Sequence, residues 1–98
     1  MLPKGYVIAQ ITEIHDQDSY ASYRELVGQT VTNYLGQFIV RGGAAERIEG
    51  ADPCGRIVII EFPSVAQARA WYGSADYQAA LALRLAASTG TVMIVAGT

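Results

Sequence analysis

Apolar and polar positions along this 98-residue chain fall into blocks whose period changes from one block to the next. Tyr6 to Ile14 is rich in Val and Ile and ends in the polar group His15-Asp16-Gln17-Asp18, the pattern of a strand. Tyr20, Tyr23, Val27, Val31 and Tyr34 then recur at helical steps of three and four. Asp16 is placed to cap this helix and Asp18 puts negative charge in its first turn. The helix is predicted over 17–34, stopping at Gly36.

A second extended stretch covers Gln37 to Ile48, with a bulge or bend at Gly42-Gly43, where glycine permits positive φ. Glu49 to Gly55 carries the turn residues Gly50, Asp52, Pro53 and Gly55, and Arg56 to Phe62 is a third strand containing Ile57-Val58-Ile59-Ile60. The two strands should pair as an antiparallel hairpin. Ser64 and Gln67 read as a capping box that opens a second helix. That helix pauses at Gly73-Ser74, where Ser74 supplies a second cap, and resumes through Tyr77, Leu81 and Leu85. A turn at Ser88 to Gly90 and a last strand from Thr91 to Ala96 complete a βαββαβ order, the split unit of ferredoxin-like α+β folds with an antiparallel sheet.

Counting faces brings in a partner. Val7-Ile8-Ala9, Ile57 to Ile60 and Val92 to Val95 are near-continuous apolar runs, which implies strands covered on both sides. Right-handed crossovers put both helices on one face, so the other face calls for a second copy of the sheet through a two-fold contact. The expectation is one domain over residues 1–98, working as a homodimer.

Composition narrows the partners further. Hydrophobic residues make up 51% and charged residues 16%, which excludes a disordered chain. Seven basic and nine acidic residues are scattered singly, so no basic run exists to track nucleic-acid phosphates. The single Cys54 excludes an internal disulfide, and one histidine with one cysteine cannot supply a typical transition-metal shell. No apolar run approaches the ~18 residues of a membrane span, and a cytoplasmic location is the default expectation.

The chain resembles the family catalogued as domain of unknown function 1330 over nearly its whole length. The resemblance rests on Lys4-Gly5-Tyr6, Tyr20 and Tyr23, Arg41-Gly42-Gly43, Ile60-Glu61-Phe62-Pro63-Ser64, and Ala70-Trp71-Tyr72 followed by Ser74 and Tyr77-Gln78. It implies a dimeric α+β barrel, related in architecture to antibiotic-biosynthesis monooxygenases and muconolactone isomerases, and implies no particular reaction. Val7 stands where many relatives are expected to carry Trp, which alters the shape of any pocket. Haem degradation, found in similar barrels, would want an axial ligand on the second helix, which has no histidine.

Arg41 and Glu61 are charges inside apolar strands. If the hairpin turns about Ala51, they fall opposite one another on one face, either as a structural ion pair or with Arg41 holding a substrate carboxylate and Glu61 acting as base. Arg84 interrupts the stripe of Tyr77, Leu81 and Leu85, and either snorkels to the surface or contacts a ligand. Tyr20, Tyr23, Trp71, Tyr72 and Tyr77 are core or interface aromatics that would also suit a small aromatic or carboxylated ligand. His15 reads as a solvent-exposed loop residue. Two functions remain open: a small-molecule binder or cofactor-independent enzyme with a pocket between sheet and helices, and a noncatalytic dimerisation module.

Overall fold

The computed structural model describes residues 2–51 and 53–98, so Met1 and the predicted turn residue Asp52 lie outside it. The elements run β1 (Gly5–Ile14), α1 (Gln17–Asn33), β2 (Gln37–Arg41), β3 (Arg56–Phe62), α2 (Val65–Tyr72), α3 (Ala75–Ala87) and β4 (Ser88–Ala96). The four strands form one antiparallel sheet in the order β2-β3-β1-β4, the ferredoxin-like arrangement. The thinnest dimension, 17 Å, is that of one sheet with one layer of helices on it.

Local chemistry accounts for the helix boundaries. The Asp16 carboxylate accepts from the Ser19 amide at 3.1 Å and starts α1. Its end is less expected: Leu35, not Gly36, takes the left-handed conformation, with φ 65°. The second predicted helix is two helices. Ser64 caps α2 through the Gln67 amide at 3.1 Å, and Ser74 caps α3 through the Tyr77 amide at 3.2 Å. The capping box is half made, because the Gln67 side chain donates to the Tyr34 carbonyl at 3.0 Å and so ties α2 to the end of α1.

Two strand boundaries differ from expectation. β2 stops at Arg41 because Gly42 turns at φ 74°, and residues 42–48 leave the sheet. No turn separates α3 from β4: Ser88 is already extended, pairs with Ile14, and the ladder continues to Ala96 opposite Gly5. Gly90 belongs to that ladder, since a side chain there would collide with the Gln10 carbonyl of β1.

Pairing assigns every strand residue to a face. Val7, Ala9, Ile60, Val58, Phe62, Val92 and Ile94 face the helices, and Val7, Ile60 and Phe62 are buried with Val27, Val31, Ala68, Trp71, Tyr77 and Leu81 in one core. Tyr6, Ile8, Ile57, Ile59, Met93 and Val95 share the opposite face. No helix covers them, and Met93 and Val95 remain 56% and 42% exposed.

Candidate functional site

A cavity opens between the helix face of the sheet and the helices. Its floor is built by the in-facing residues Val7, Ala9, Ile11, Val58, Ile60 and Val92. Its walls come from the helices: Tyr20, Tyr23 and Val27 of α1, Trp71 of α2, and Tyr77 and Arg84 of α3. Arg24, Arg41, Arg56 and Phe38 complete the lining, with Arg24 and Arg41 exposed at the surface. Val7 lies within the floor.

The aromatic walls are fixed by stacking and by hydrogen bonds. The Trp71 and Tyr77 rings lie 4.0 Å apart and the Tyr20 and Tyr23 rings 5.7 Å apart, centroid to centroid. The buried indole N–H of Trp71 donates to Thr30 Oγ1 at 3.0 Å, and that hydroxyl donates onward to the Val27 carbonyl at 2.7 Å. The hydroxyls of Tyr23 and Tyr77 bond each other at 3.1 Å. Burial, reinforced by Tyr77, pushes the Tyr23 hydroxyl far above the usual phenol range. It therefore stays protonated, available as a hydrogen-bond group and unavailable as a base.

Positive charge is concentrated here. Four of the chain's seven basic residues line the cavity and, among the described residues, no Asp or Glu does, although acidic residues outnumber basic ones. Arg84 is only 6% exposed and its guanidinium lies 5.9 Å from the Tyr23 ring. Burial opposes its charge, but the phenolic oxygens of Tyr77, Tyr23 and Tyr72 outweigh that and raise its pKa. Arg56 reaches over Tyr20 at 5.9 Å, and its Nε is buried without a hydrogen-bond partner. Arg41 is engaged already: Nη2 donates to the Arg24 carbonyl at 3.1 Å and the guanidinium stacks on Phe38 at 4.1 Å. Neither His15, beside Glu13 and 44% exposed in its side chain, nor Cys54 lines the cavity, and among the described residues no three His, Cys, Asp or Glu side chains gather to hold a metal.

The expected pairing of Arg41 with Glu61 is incorrect. Gln37 pairs with Glu61 and Arg41 with Val58, and an extra residue at Ile39 shifts the register between them. Arg41 consequently lies on the helix face and Glu61 on the opposite one. There Lys4 Nζ bonds Glu61 at 2.9 Å and the Tyr6 hydroxyl bonds it at 3.2 Å. The Lys4 hydrogen bond, against partial burial and aided by Tyr6, holds the Glu61 carboxyl below its ordinary pKa. It is a carboxylate on the wrong face to act as base in the cavity. Tyr72 is half-buried behind the cavity wall, against Tyr77 at 5.4 Å.

Tyr20, Tyr23, Arg41, Trp71, Tyr77 and Arg84 are thus brought together, and Glu61 and Tyr72 are not. The Arg84 stripe is itself shifted by one: Ala80, Leu81, Arg84 and Ala87 face inward and Leu85 is 62% exposed, so Arg84 does not snorkel outward. Sequence reasoning overlooked Arg24 and Arg56. Arg24 stands four residues after Tyr20 and three before Val27, and Arg56 shares the strand parity of Val58 and Ile60, so both signals were present in the spacing.

The family described as "Domain of unknown function (DUF1330)" matches residues 4–98. Among curated proteins nothing matches the chain. A protein of unknown function from Rhodopseudomonas palustris is similar in structure, with TM-score 0.79 and 16% identity over 100% of this chain and 85% of that one. SnoaB, a cofactor-independent oxygenase from Streptomyces nogalater, follows with TM-score 0.69 and 14% identity over 98% of this chain and 94% of that one. A dimeric ferredoxin-like protein of unknown function from Thermobifida fusca has TM-score 0.64 and 16% identity over 98% and 92%. At these identities the likeness is one of fold.

Proposed function

The chain belongs to the family described as domain of unknown function 1330, and from that premise we propose that it is a homodimeric small-molecule-binding protein whose ligand occupies the cavity between sheet and helices. The observation that carries this reading is the lining. Flat aromatic walls, a set of guanidinia and, among the described residues, no carboxylate line the cavity, whereas a purely structural core gains nothing from uncompensated charge beside a void. The uncovered apolar face around Ile8, Ile59, Met93 and Val95 supports the homodimer, as does the dimeric state given for the Thermobifida protein. A stable contact there would bury on the order of 1,200 Å² in total.

Among the described residues, the lining offers no carboxylate or imidazole of the same protomer to a reaction in the cavity. The fold also hosts chemistry without a cofactor, since SnoaB is a cofactor-independent oxygenase. The hydroxyls of Tyr23 and Tyr77 then orient a ligand by hydrogen bonding. A thermal-shift screen of small aromatic compounds, neutral and charged, tests the binding reading, with light scattering run beside it. A true ligand at 100 times its Kd stabilises the native state by about 2.7 kcal/mol, and scattering should give the mass of two 10.5 kDa chains. If no compound in the screen raises the melting temperature, the binding reading fails and the dimerisation-module reading replaces it. A monomer at micromolar concentration removes the dimer.

A further inference from the structure

We propose that the cavity selects organic anions, specifically a carboxylate on a small planar apolar body, and that Arg56 and Arg84 hold the anionic group. This rests on the reading of the cavity as a ligand site and specifies what enters it.

Arg56 carries the argument. A guanidinium keeps its charge at any accessible pH and has five N–H donors to satisfy. The Arg56 Nε is buried with none of its bonding capacity used, an arrangement that costs stability unless an acceptor arrives from outside. The side chain is also held in place. Strand parity directs it to the helix face, and its far end packs against Gly42, where any Cβ would strike the guanidinium and where φ 74° itself favours glycine.

Arg84 approaches from the helix side and is 6% exposed, and among the described residues it has no carboxylate partner. Its guanidinium and that of Arg56 each lie 5.9 Å from one ring of the Tyr20–Tyr23 pair, whose centroids are 5.7 Å apart. Glu25 does not line the cavity but shares a separate surface pocket with Arg24 and Arg41, and Glu61 is bound to Lys4 on the other face. Two like charges in a poorly solvated space are left to an anion, and a carboxylate matches the guanidinium fork through two oxygens. The Trp71 and Tyr77 faces then offer a planar, apolar wall for the rest of the molecule.

The test is isothermal titration of the full chain with benzoate and 2-naphthoate against the neutral amides benzamide and 2-naphthamide. In the wild type the acids should bind roughly 10- to 100-fold tighter than their amides, as charge-assisted hydrogen bonds warrant. Arg56→Gln should reduce that preference to less than about threefold by weakening acid binding far more than amide binding, and exposed Arg69→Gln should leave both alone. Because Arg84→Gln can damage the fold, Arg84→Lys and Arg56→Lys serve beside it: each keeps the charge but loses the fork, and an intermediate preference is expected. Equal affinity for acid and amide in the wild type, or an undiminished acid preference in Arg56→Gln, overturns the anion assignment while the ligand-site reading stands. Absence of binding by every acid and amide alike removes the ligand-site reading too.

Discussion

Replacing Thr30 with valine removes one hydroxyl without changing the shape of the side chain, and the cost can be worked out from its two bonds. The Thr30 hydroxyl is buried, donates to the Val27 carbonyl at 2.7 Å and accepts from the Trp71 indole N–H at 3.0 Å. The Val27 carbonyl retains its place in the α1 ladder. The indole N–H has no such reserve, because Trp71 is 1% exposed and water cannot reach it. Leaving a buried donor unsatisfied costs about 1–3 kcal/mol, and each kcal/mol lowers the melting temperature of a domain this size by roughly 4–8 °C. The assay is urea unfolding at fixed protein concentration, since dimerisation makes stability concentration-dependent. The control is the same substitution in a Trp71→Phe background, where no N–H remains to be orphaned, so Thr30→Val should cost close to nothing there. Equal destabilisation in the two backgrounds, or none in either, refutes the reasoning.

Other expected outcomes follow from single features. Leu35→Gly should stabilise by about 0.5–1 kcal/mol, because the left-handed backbone costs an L-residue more than glycine loses in entropy and Leu35 is 70% exposed; a fall in melting temperature contradicts it. Ser74→Ala should cost about 1 kcal/mol through loss of the α3 cap, read by thermal unfolding, and a neutral result would mean the cap is dispensable. Acid should destabilise the protein. The Asp16 carboxyl, lowered by the Ser19 amide and hydroxyl, and Glu61, lowered by Lys4, are both more acidic folded than unfolded, so the unfolded state binds more protons as pH falls. Their contribution is complete above the unfolded carboxylate range, near pH 4, and disappears as pH drops through the folded values. Asp16→Asn, which can still cap, should melt like the wild type at neutral pH and show a smaller drop at pH 3; an unchanged drop removes Asp16 from the account.

Most of the fold was legible because its signals are local. Asp16, Ser64 and Ser74 cap the helices expected of them, and the apolar run of β3 begins and ends as predicted. The errors arose where tertiary pairing decides. Ser88 to Gly90 looks like a turn by composition, yet β1 recruits those residues into its ladder. Arg41 and Glu61 are apart first because the long connection sets Gln37, four residues earlier, opposite Glu61, and then because an inserted residue at Ile39, which no local preference announces, moves every later side chain of β2 to the other face. The candidate site was legible as far as its aromatic stripe. Its charge was legible in part, at Arg41 and Arg84; Arg24 and Arg56 carry only the weaker signal of their spacing, and packing is what sets all four around one cavity.

The central claim, that a small molecule occupies the space between sheet and helices, can be read from one residue. Trp71 is the only tryptophan, its indole ring lines the cavity, and its N–H gives a single resonance in a nitrogen-edited proton spectrum. Titration of the labelled protein with benzoate should move that resonance along a saturating curve, together with the amides of Tyr23 and Ile60 and ahead of those of Ile8 and Met93 on the opposite face. An indole resonance that stays fixed while benzoate shifts only the outer face, or shifts nothing, would contradict the account.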